Sequence, residues 1–328
     1  MLFGDRAAPA SVTAGRRHAH IDRPPTAART DARGRGVIRV GLVGQGITAS
    51  LTPPMHEAEA AALGLAYEYR IFDLLDLGVP AERVGRILED ARESGFAAMN
   101  ITHPCKQLVF DIVESLDDDA ARLGAVNLVV FADGRLVGYN TDWIGYRDGL
   151  VAGLAGASFE RVVQIGCGGA GAATAYALLS HGTAHLVLSD ADVDRAEELT
   201  ERMRPHFPGQ VVETVQPDRL EAAIRTATGV VHATPMGMLH HPGVAFDVGL
   251  LQPAAWVSDV VYRPLETALV REATRRGHAV LDGGLMAVGQ ACASLQIITG
   301  ANPDRARMER HFRALIGAEE QAAGGSIR

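Results

Sequence analysis

Three glycines and one aspartate in the middle of the chain have the spacing of a dinucleotide-binding site. Gly166, Gly168 and Gly171 form the pattern G-x-G-x-x-G directly after a short apolar run. The first glycine of such a pattern permits a sharp turn, the second lets the backbone approach a pyrophosphate, and the third allows a helix to pack closely on a sheet. Asp190 follows about twenty residues later, where a carboxylate can accept hydrogen bonds from a ribose diol. We therefore predict a dinucleotide site, the alternative being a glycine turn that only packs a helix on a sheet.

Polar side chains also follow two other predicted strands. Asn100, Thr102 and Lys106 come after one apolar strand and lead into a predicted helix. Ligands of parallel sheets bind outside the carboxyl ends of the strands, so these residues predict a small-molecule site. Ser50 and Thr52 follow the first strand, where they could hold a small polar ligand. The alternative is that Thr52 caps the helix that begins there.

The elements that must position these residues alternate between strands and helices. Residues 162–165 and 185–188 predict strands on either side of a helix over 172–179, which is the βαβ unit of a Rossmann-like domain. Earlier in the chain, residues 37–43 and 65–72 predict strands, 80–94 and 143–154 predict helices, and Asp133-Gly134 predicts a hairpin turn. This alternation predicts an α/β fold.

Composition limits the class of protein. The chain has 328 residues, enough for two domains, and 47% of its residues are hydrophobic. No apolar run approaches the roughly 18 residues of a spanning helix. The formal net charge of −8 argues against general binding to nucleic acid or to an anionic membrane. The three cysteines have no metal-ligand spacing, so we predict no metal and a reduced, cytoplasmic setting.

The two ends of the chain look different from the rest. Residues 1–36 hold seven Arg and three Asp but no Lys or Glu, and they show no apolar periodicity. We predict that they form a disordered tail that contributes nothing to folding. Residues 319–328 predict a second, frayed tail.

From Val37 to about His311 the chain resembles the shikimate dehydrogenase family. The family's motifs occur in order: S-x-[ST]-P from Ser50, N-x-T-x-P-x-K from Asn100, then G-A-V-N, N-T-D, G-x-G-G-x-G, A-T-P-M-G and a C-terminal motif with Gln290. Within the family, residues 50–60, residues 100–107 and Asp190 are most similar to the bacterial NAD-linked quinate/shikimate dehydrogenases.

The resemblance implies two domains and one reaction. The substrate domain would be discontinuous, comprising residues 37–142 and 283–318, and residues 143–282 would form the Rossmann-like dinucleotide-binding domain. The implied reaction transfers a hydride between NAD(H) and the ring carbinol of shikimate or quinate.

The resemblance also assigns roles to individual residues. Lys106, paired with Asp142, would transfer the hydroxyl proton. Because a lysine beside a carboxylate is mostly protonated at neutral pH, Lys106 suits proton donation to a ketone, and alkaline pH should favour alcohol oxidation. The substrate contacts would be Ser50, Thr52, Asn100, Thr102, Asn127, Tyr262 and Gln290, together with Asp142. The cofactor contacts would be Gly166, Gly168, Gly169, Ala170, Gly171, Asp190, Thr234, Met236, Val260, Gly283 and Met286.

Two features bear on specificity. Thr52 stands where many shikimate-specific members have serine, and its extra methyl group argues against a strict preference for shikimate. The acidic run Asp190, Asp192 and Asp194 contains no Arg or Lys to receive a 2′-phosphate, which favours NAD over NADP. Alternatively, Asp192 or Asp194 only caps the next helix.

Other functions stay open at this point. The chain could be a biosynthetic shikimate dehydrogenase, an aminoshikimate dehydrogenase, or a non-catalytic quinate or shikimate sensor. Retention of Lys106, Asp142 and the glycine loop disfavours the sensor. The expected partners are a small-molecule substrate and, if the chain is not a monomer, a second copy in a homodimer.

Overall fold

The computed structural model describes residues 29–30 and 36–325 of the chain. The first of two sheets is formed by the N-terminal part of these residues. The elements are β1 (Arg29–Thr30), β2 (Gly36–Gly44), α1 (Thr52–Ala62), β3 (Tyr67–Asp73), α2 (Leu74–Leu77), α3 (Val84–Glu93), β4 (Ala98–Ile101), α4 (Cys105–Ile112), β5 (Ser115–Leu116), α5 (Asp118–Leu123), β6 (Leu128–Ala132), β7 (Arg135–Tyr139) and α6 (Asp142–Gly153). The strands form a seven-stranded sheet in the order β1-β2-β4-β6-β7-β5, with β3 paired to β2. The pairs β2–β3 and β2–β4 are parallel, whereas the β6–β7 hairpin is antiparallel, as predicted from Asp133-Gly134.

The second sheet is contiguous in sequence. Its elements are β8 (Arg161–Ile165), α7 (Gly169–His181), β9 (His185–Ser189), α8 (Val193–Met203), β10 (Val211–Thr214), α9 (Leu220–Ile224), β11 (Gly229–His232), β12 (Trp256–Asp259), α10 (Ala268–Arg275) and β13 (Val280–Leu281). The six strands are parallel in the order β10-β9-β8-β11-β12-β13. This is the doubly wound order, in which ligands bind where the strand order reverses, here between β8 and β11. The predicted α/β fold with a Rossmann-like unit is therefore confirmed.

Two final helices connect the sheets, α11 (Gly283–Thr299) and α12 (Arg305–Gly325). α11 packs closely on α6, because a Cβ atom on Gly145 would lie only 2.5 Å from the backbone nitrogen of Gln290. α12 packs on α1 and α11 through buried apolar side chains that include Phe312. The buried Glu59 carboxylate of α1 accepts hydrogen bonds from Arg307 Nε and Nη2, both at 2.6 Å. Helix α12 is thus held against α1 by both apolar contacts and hydrogen bonds.

The chain ends differ in part from the sequence prediction. Most of residues 1–36 lies outside the described residues, but Arg29–Thr30 pairs antiparallel with Gly36 and Val37, so disorder is the wrong prediction for that short stretch. The frayed tail from residue 319 is also wrong as far as Gly325, because α12 continues to that residue. The predicted domain boundaries fall where α6 and α11 begin and stay predictions. No helix within residues 36–325 combines the length and apolarity needed to span a membrane.

Candidate active site

An ion pair lies beyond the carboxyl ends of β4 and β7 in the first sheet. Lys106 lies in the first turn of α4, and Asp142 is the first residue of α6. Lys106 Nζ lies 2.5 Å from Asp142 Oδ2, and the two side chains are 21% and 10% exposed. The other carboxylate oxygen accepts a hydrogen bond of 2.9 Å from Asn127 Nδ2. The ammonium group is therefore held in one place yet reached by solvent, as a proton donor requires.

Hydrogen bonds run from this pair into the interior. Asn127 Nδ2 donates to Thr141 Oγ1 at 2.9 Å, and Thr141 Oγ1 lies 3.1 Å from Ser294 Oγ. Ser294 donates to Asn100 Oδ1 at 3.1 Å, and Asn100 Nδ2 donates to the Tyr69 hydroxyl at 2.6 Å. These residues, from Asn127 to Tyr69, are called the buried relay below. The orientation of the Asn127 amide is fixed, because its nitrogen donates to the Asp142 carboxylate and its oxygen accepts the Thr141 backbone N–H at 2.7 Å.

The loop after β2 carries Ser50 and Thr52. Thr52 is the first residue of α1 and makes no capping hydrogen bond, so the alternative in which it caps the helix is wrong. The Ser50 hydroxyl accepts a hydrogen bond of 3.3 Å from the Thr52 backbone nitrogen. Asp73, missed at the sequence level, accepts hydrogen bonds from residues 46–48 of this loop. Burial alone would raise the pKa of Asp73, but the hydrogen bonds from the loop and from Leu75 lower it to about 2.

The remaining predicted substrate residues are brought together less tightly. Thr102 packs against Gly44, where an added Cβ atom would lie 2.3 Å from the threonine methyl group. Tyr262 is 38% exposed, and its ring lies 6.2 Å from that of Phe312. Gln290 donates to the carbonyl of Ala287 in its own helix. No hydrogen bond described in the structure connects Tyr262 or Gln290 to the buried relay, so their contact with substrate stays a prediction.

The glycine loop has the geometry that its spacing predicts. Gly166 has φ +102°, and a Cβ atom on Gly171 would lie 2.2 Å from the Gly166 carbonyl oxygen. A Cβ atom on Gly168 would meet nothing within 4 Å, so the face of the loop is open. α7 begins at Gly169 without a side-chain cap, which leaves the N–H groups of its first turn, including that of Ala170, for an anion. These residues fit the pyrophosphate of a dinucleotide.

The acid at the end of β9 has more partners than the sequence indicated. Asp190 accepts hydrogen bonds from the backbone nitrogens of Cys167 at 2.7 Å and Asp192 at 2.9 Å. Asp192 also caps α8, as one alternative predicted. Arg195, outside the acidic run, lies 3.7 Å from Asp190 and 3.1 Å from Asp192. A cation is therefore present beside the acid, which the sequence interpretation missed.

The remaining predicted cofactor residues follow the carboxyl ends of β11, β12 and β13. The Thr234 methyl group would lie 2.8 Å from a Cβ atom on Gly166, and the Val260 carbonyl oxygen 2.3 Å from one on Gly283. Met236 is 40% exposed, and Met286 is partly buried beside α6.

The glycine loop and Lys106 are close in space. A Cβ atom on Gly169 would lie 4.0 Å from Lys106 Cδ, so the glycine loop and the lysine face each other. Within residues 36–325 no group of three or more His, Cys, Asp or Glu side chains is arranged to hold a metal.

Known proteins are similar to this chain over most of its length. Residues 42–129 match the family model described as the shikimate dehydrogenase substrate binding domain. The chain is 51% identical to a shikimate dehydrogenase (NADP(+)) of Pseudarthrobacter chlorophenolicus over 284 residues, 87% of this chain and 97% of the relative. It is 44% identical to a quinate/shikimate dehydrogenase (NAD(+)) of Corynebacterium efficiens over 279 residues, 85% of this chain and 98% of the relative.

A solved structure agrees with these matches. Quinate dehydrogenase from Corynebacterium glutamicum in complex with NAD has a TM-score of 0.81 and 42% identity, covering 85% of this chain and 99% of that one. The relatives carry both NAD and NADP in their names, which supports a pyridine nucleotide without deciding between the two. From this identity over most of its length and the shared fold, the chain belongs to the shikimate dehydrogenase family.

Proposed function

We propose that this chain is an oxidoreductase that transfers a hydride between a pyridine nucleotide and the ring carbinol of shikimate or quinate. The observation that carries the proposal is the Lys106–Asp142 ion pair facing Gly169 of the glycine loop. A proton donor for the carbinol oxygen and a dinucleotide loop meet there, which alcohol oxidoreduction requires. Relatives named as shikimate or quinate/shikimate dehydrogenases support the choice of substrate.

Proton transfer falls to Lys106 in this proposal. The nicotinamide, when bound, gives or takes the hydride. In the reducing direction the Lys106 ammonium donates a proton to the ketone oxygen, and in the oxidising direction the neutral amine takes the hydroxyl proton. Asp142 keeps the amine in position, because its second oxygen is already fixed by Asn127. Oxidation of the carbinol releases a proton, so a higher pH should favour it.

The substrate would lie between the loop after β2 and the buried relay. We propose that Ser50 and Thr52 contact its carboxylate, and that Asn100, Thr102 and Asn127 contact its ring hydroxyls. Tyr262 and Gln290 would complete the contacts from the other side. Several hydrogen bonds of about 0.5–1.5 kcal/mol each suffice to orient a polyhydroxylated ring. The domain division at the starts of α6 and α11 then gives a cleft with substrate on one side and nucleotide on the other.

We propose NAD as the preferred cofactor because of Asp190. Its carboxylate can accept hydrogen bonds from both ribose hydroxyls and would repel a 2′-phosphate. Arg195 favours a second possibility, because a guanidinium 3.7 Å from Asp190 could turn to a 2′-phosphate. We therefore expect measurable but weaker use of NADP.

Initial rates on one enzyme preparation test the whole proposal. Shikimate and quinate are each measured with NAD and with NADP at several pH values. We expect oxidation of both substrates, NAD preferred over NADP, and rates that rise with pH. Binding of either acid without turnover under any condition would instead identify a sensor.

A further inference from the structure

A buried imidazole and carboxylate lie behind the proposed cofactor loop and take no part in the proton transfer described above. His232 ends β11 and Asp259 ends β12, and each side chain is only 1% exposed. His232 Nδ1 lies 3.0 Å from Asp259 Oδ1, and His232 Nε2 lies 2.5 Å from the hydroxyl of Thr234. The glycine triplet and the lysine motif give no hint of this arrangement.

The hydrogen positions follow from the neighbours. Asp259 Oδ1 also accepts from the backbone nitrogen of Val261 at 3.0 Å, and Oδ2 accepts from the Thr267 hydroxyl at 2.7 Å. In a neutral imidazole, a carboxylate surrounded by donors takes the Nδ1 hydrogen of His232, and Nε2 is then the acceptor. The Thr234 hydroxyl must then donate to Nε2. Its oxygen still accepts the backbone N–H of Met236 at 3.2 Å.

Thr234 is the point where this chain of bonds reaches the dinucleotide turn. Its methyl group packs where a Cβ atom on Gly166 would be, 2.8 Å away. Its hydroxyl holds the turn to Met236, one of the predicted cofactor contacts. A rotation of the Thr234 side chain would therefore disturb both the glycine turn and the loop that follows β11.

We propose that His232 and Asp259 are positioning residues for cofactor binding, which act by fixing Thr234 through the His232 Nε2 acceptor. This inference rests on the proposed function, because it takes the Thr234–Met236 turn to face the dinucleotide. The alternative is that the imidazole only satisfies its neighbours and stabilises the sheet.

A matched pair of substitutions separates the two roles. An asparagine at 232 can keep an N–H near the position of Nδ1, but it offers no acceptor at the position of Nε2. A glutamine reaches the position of Nε2 and gives up the Asp259 bond. Each variant thus loses one buried hydrogen bond, and similar losses of stability are expected.

Dissociation constants for NADH and NADPH on the full chain provide the first measurement. We expect His232→Asn to weaken binding of the preferred nucleotide about 3- to 10-fold, the loss typical of one hydrogen bond, with kcat little changed. His232→Gln should bind close to wild type. Thr234→Val should weaken binding like His232→Asn, and the double variant should bind no worse than either single one.

The results that would contradict the positioning role differ from the result that would contradict the proposed function. Equal binding by the Asn and Gln variants, or losses that add in the double variant, would overturn the positioning role. If neither His232 variant folds, Thr234→Val alone decides, since valine keeps the methyl group against Gly166 and loses the hydroxyl: binding weakened about 3- to 10-fold supports the positioning role, and unchanged binding overturns it. A wild-type chain that binds neither nucleotide would refute the proposed function and, with it, this inference.

Discussion

Replacing Lys106 with methionine would remove the ammonium group and keep most of the side chain that packs toward Gly169. Positioned proton transfer typically contributes about 10²- to 10⁴-fold to turnover. We therefore expect kcat to fall by about that factor in both directions, while substrate and nucleotide still bind.

The ion-pair geometry sets the expected effect on stability. The Asp142 side chain is 10% exposed and would keep only the hydrogen bond from Asn127. Removing one partner of a fully buried pair costs about 3–5 kcal/mol. Because Lys106 is 21% exposed, water can replace part of the interaction, and about 1–3 kcal/mol is the more suitable range here.

Two further variants separate the chemical loss from the loss of stability. Lys106→Arg keeps a cation beside Asp142 but cannot act as a base, so it should recover stability without recovering turnover. Adding Asp142→Asn to Lys106→Met neutralises the unpaired carboxylate and should raise the melting temperature again, with kcat still low. Steady-state rates, nucleotide titration and thermal unfolding on all three variants provide the test. A kcat of Lys106→Met within tenfold of wild type would remove Lys106 from the mechanism.

Three other predictions concern specificity, the buried relay and pH. Asp190→Ala should lower kcat/KM for NAD, while kcat/KM for NADP holds or rises. Arg195→Ala should lower only kcat/KM for NADP. If Asp190→Ala leaves the ratio of the two kcat/KM values unchanged, Asp190 only fixes the glycine loop. Ser294→Ala should raise the substrate KM and lower the free energy of unfolding by about 1–3 kcal/mol, because Asn100 Oδ1 loses its buried donor, whereas nucleotide binding, measured by titration, should not change. His56 is buried in α1, and burial lowers its pKa from 6.5 to about 3. As pH drops below 6.5 the unfolded chain takes up the proton before the folded one, so the free energy of unfolding should fall by up to about 1.4 kcal/mol per pH unit. The free energy of unfolding of His56→Gln, measured by denaturant unfolding between pH 7 and 4.5, should change less with pH than that of wild type. The same pH dependence in both proteins would contradict this account.

The nucleotide-binding unit was predictable because its determinants are local. β8, the glycine turn, α7 and β9 follow one another without interruption, and Gly182 ends α7 in the left-handed conformation. Lys106 and Asp142 were predictable only through the motifs that contain them. Nothing in their separation along the chain predicts an ion pair.

The buried relay was not predictable for a physical reason. Tyr69 and Ser294 are ordinary residues of a strand and a helix, and their role depends on how α11 crosses the first sheet. The one local signal is that Ser294 follows Gln290 by one helical turn. Arg195 was missed in a similar way, because only the folded start of α8 turns its side chain back toward Asp190.

The contacts of the last two helices with α1 and the first sheet affect how the chain can fold during synthesis on the ribosome. Ser294 follows Asn100 by 194 positions, and Arg307 follows Glu59 by 248. Chains generally fold from the N-terminal side as they emerge. The second sheet can form as soon as β13 has been made, whereas Asn100 and Glu59 must wait for Ser294 and Arg307 to emerge. The proposed nucleotide site can therefore form before the proposed substrate site, which needs α11.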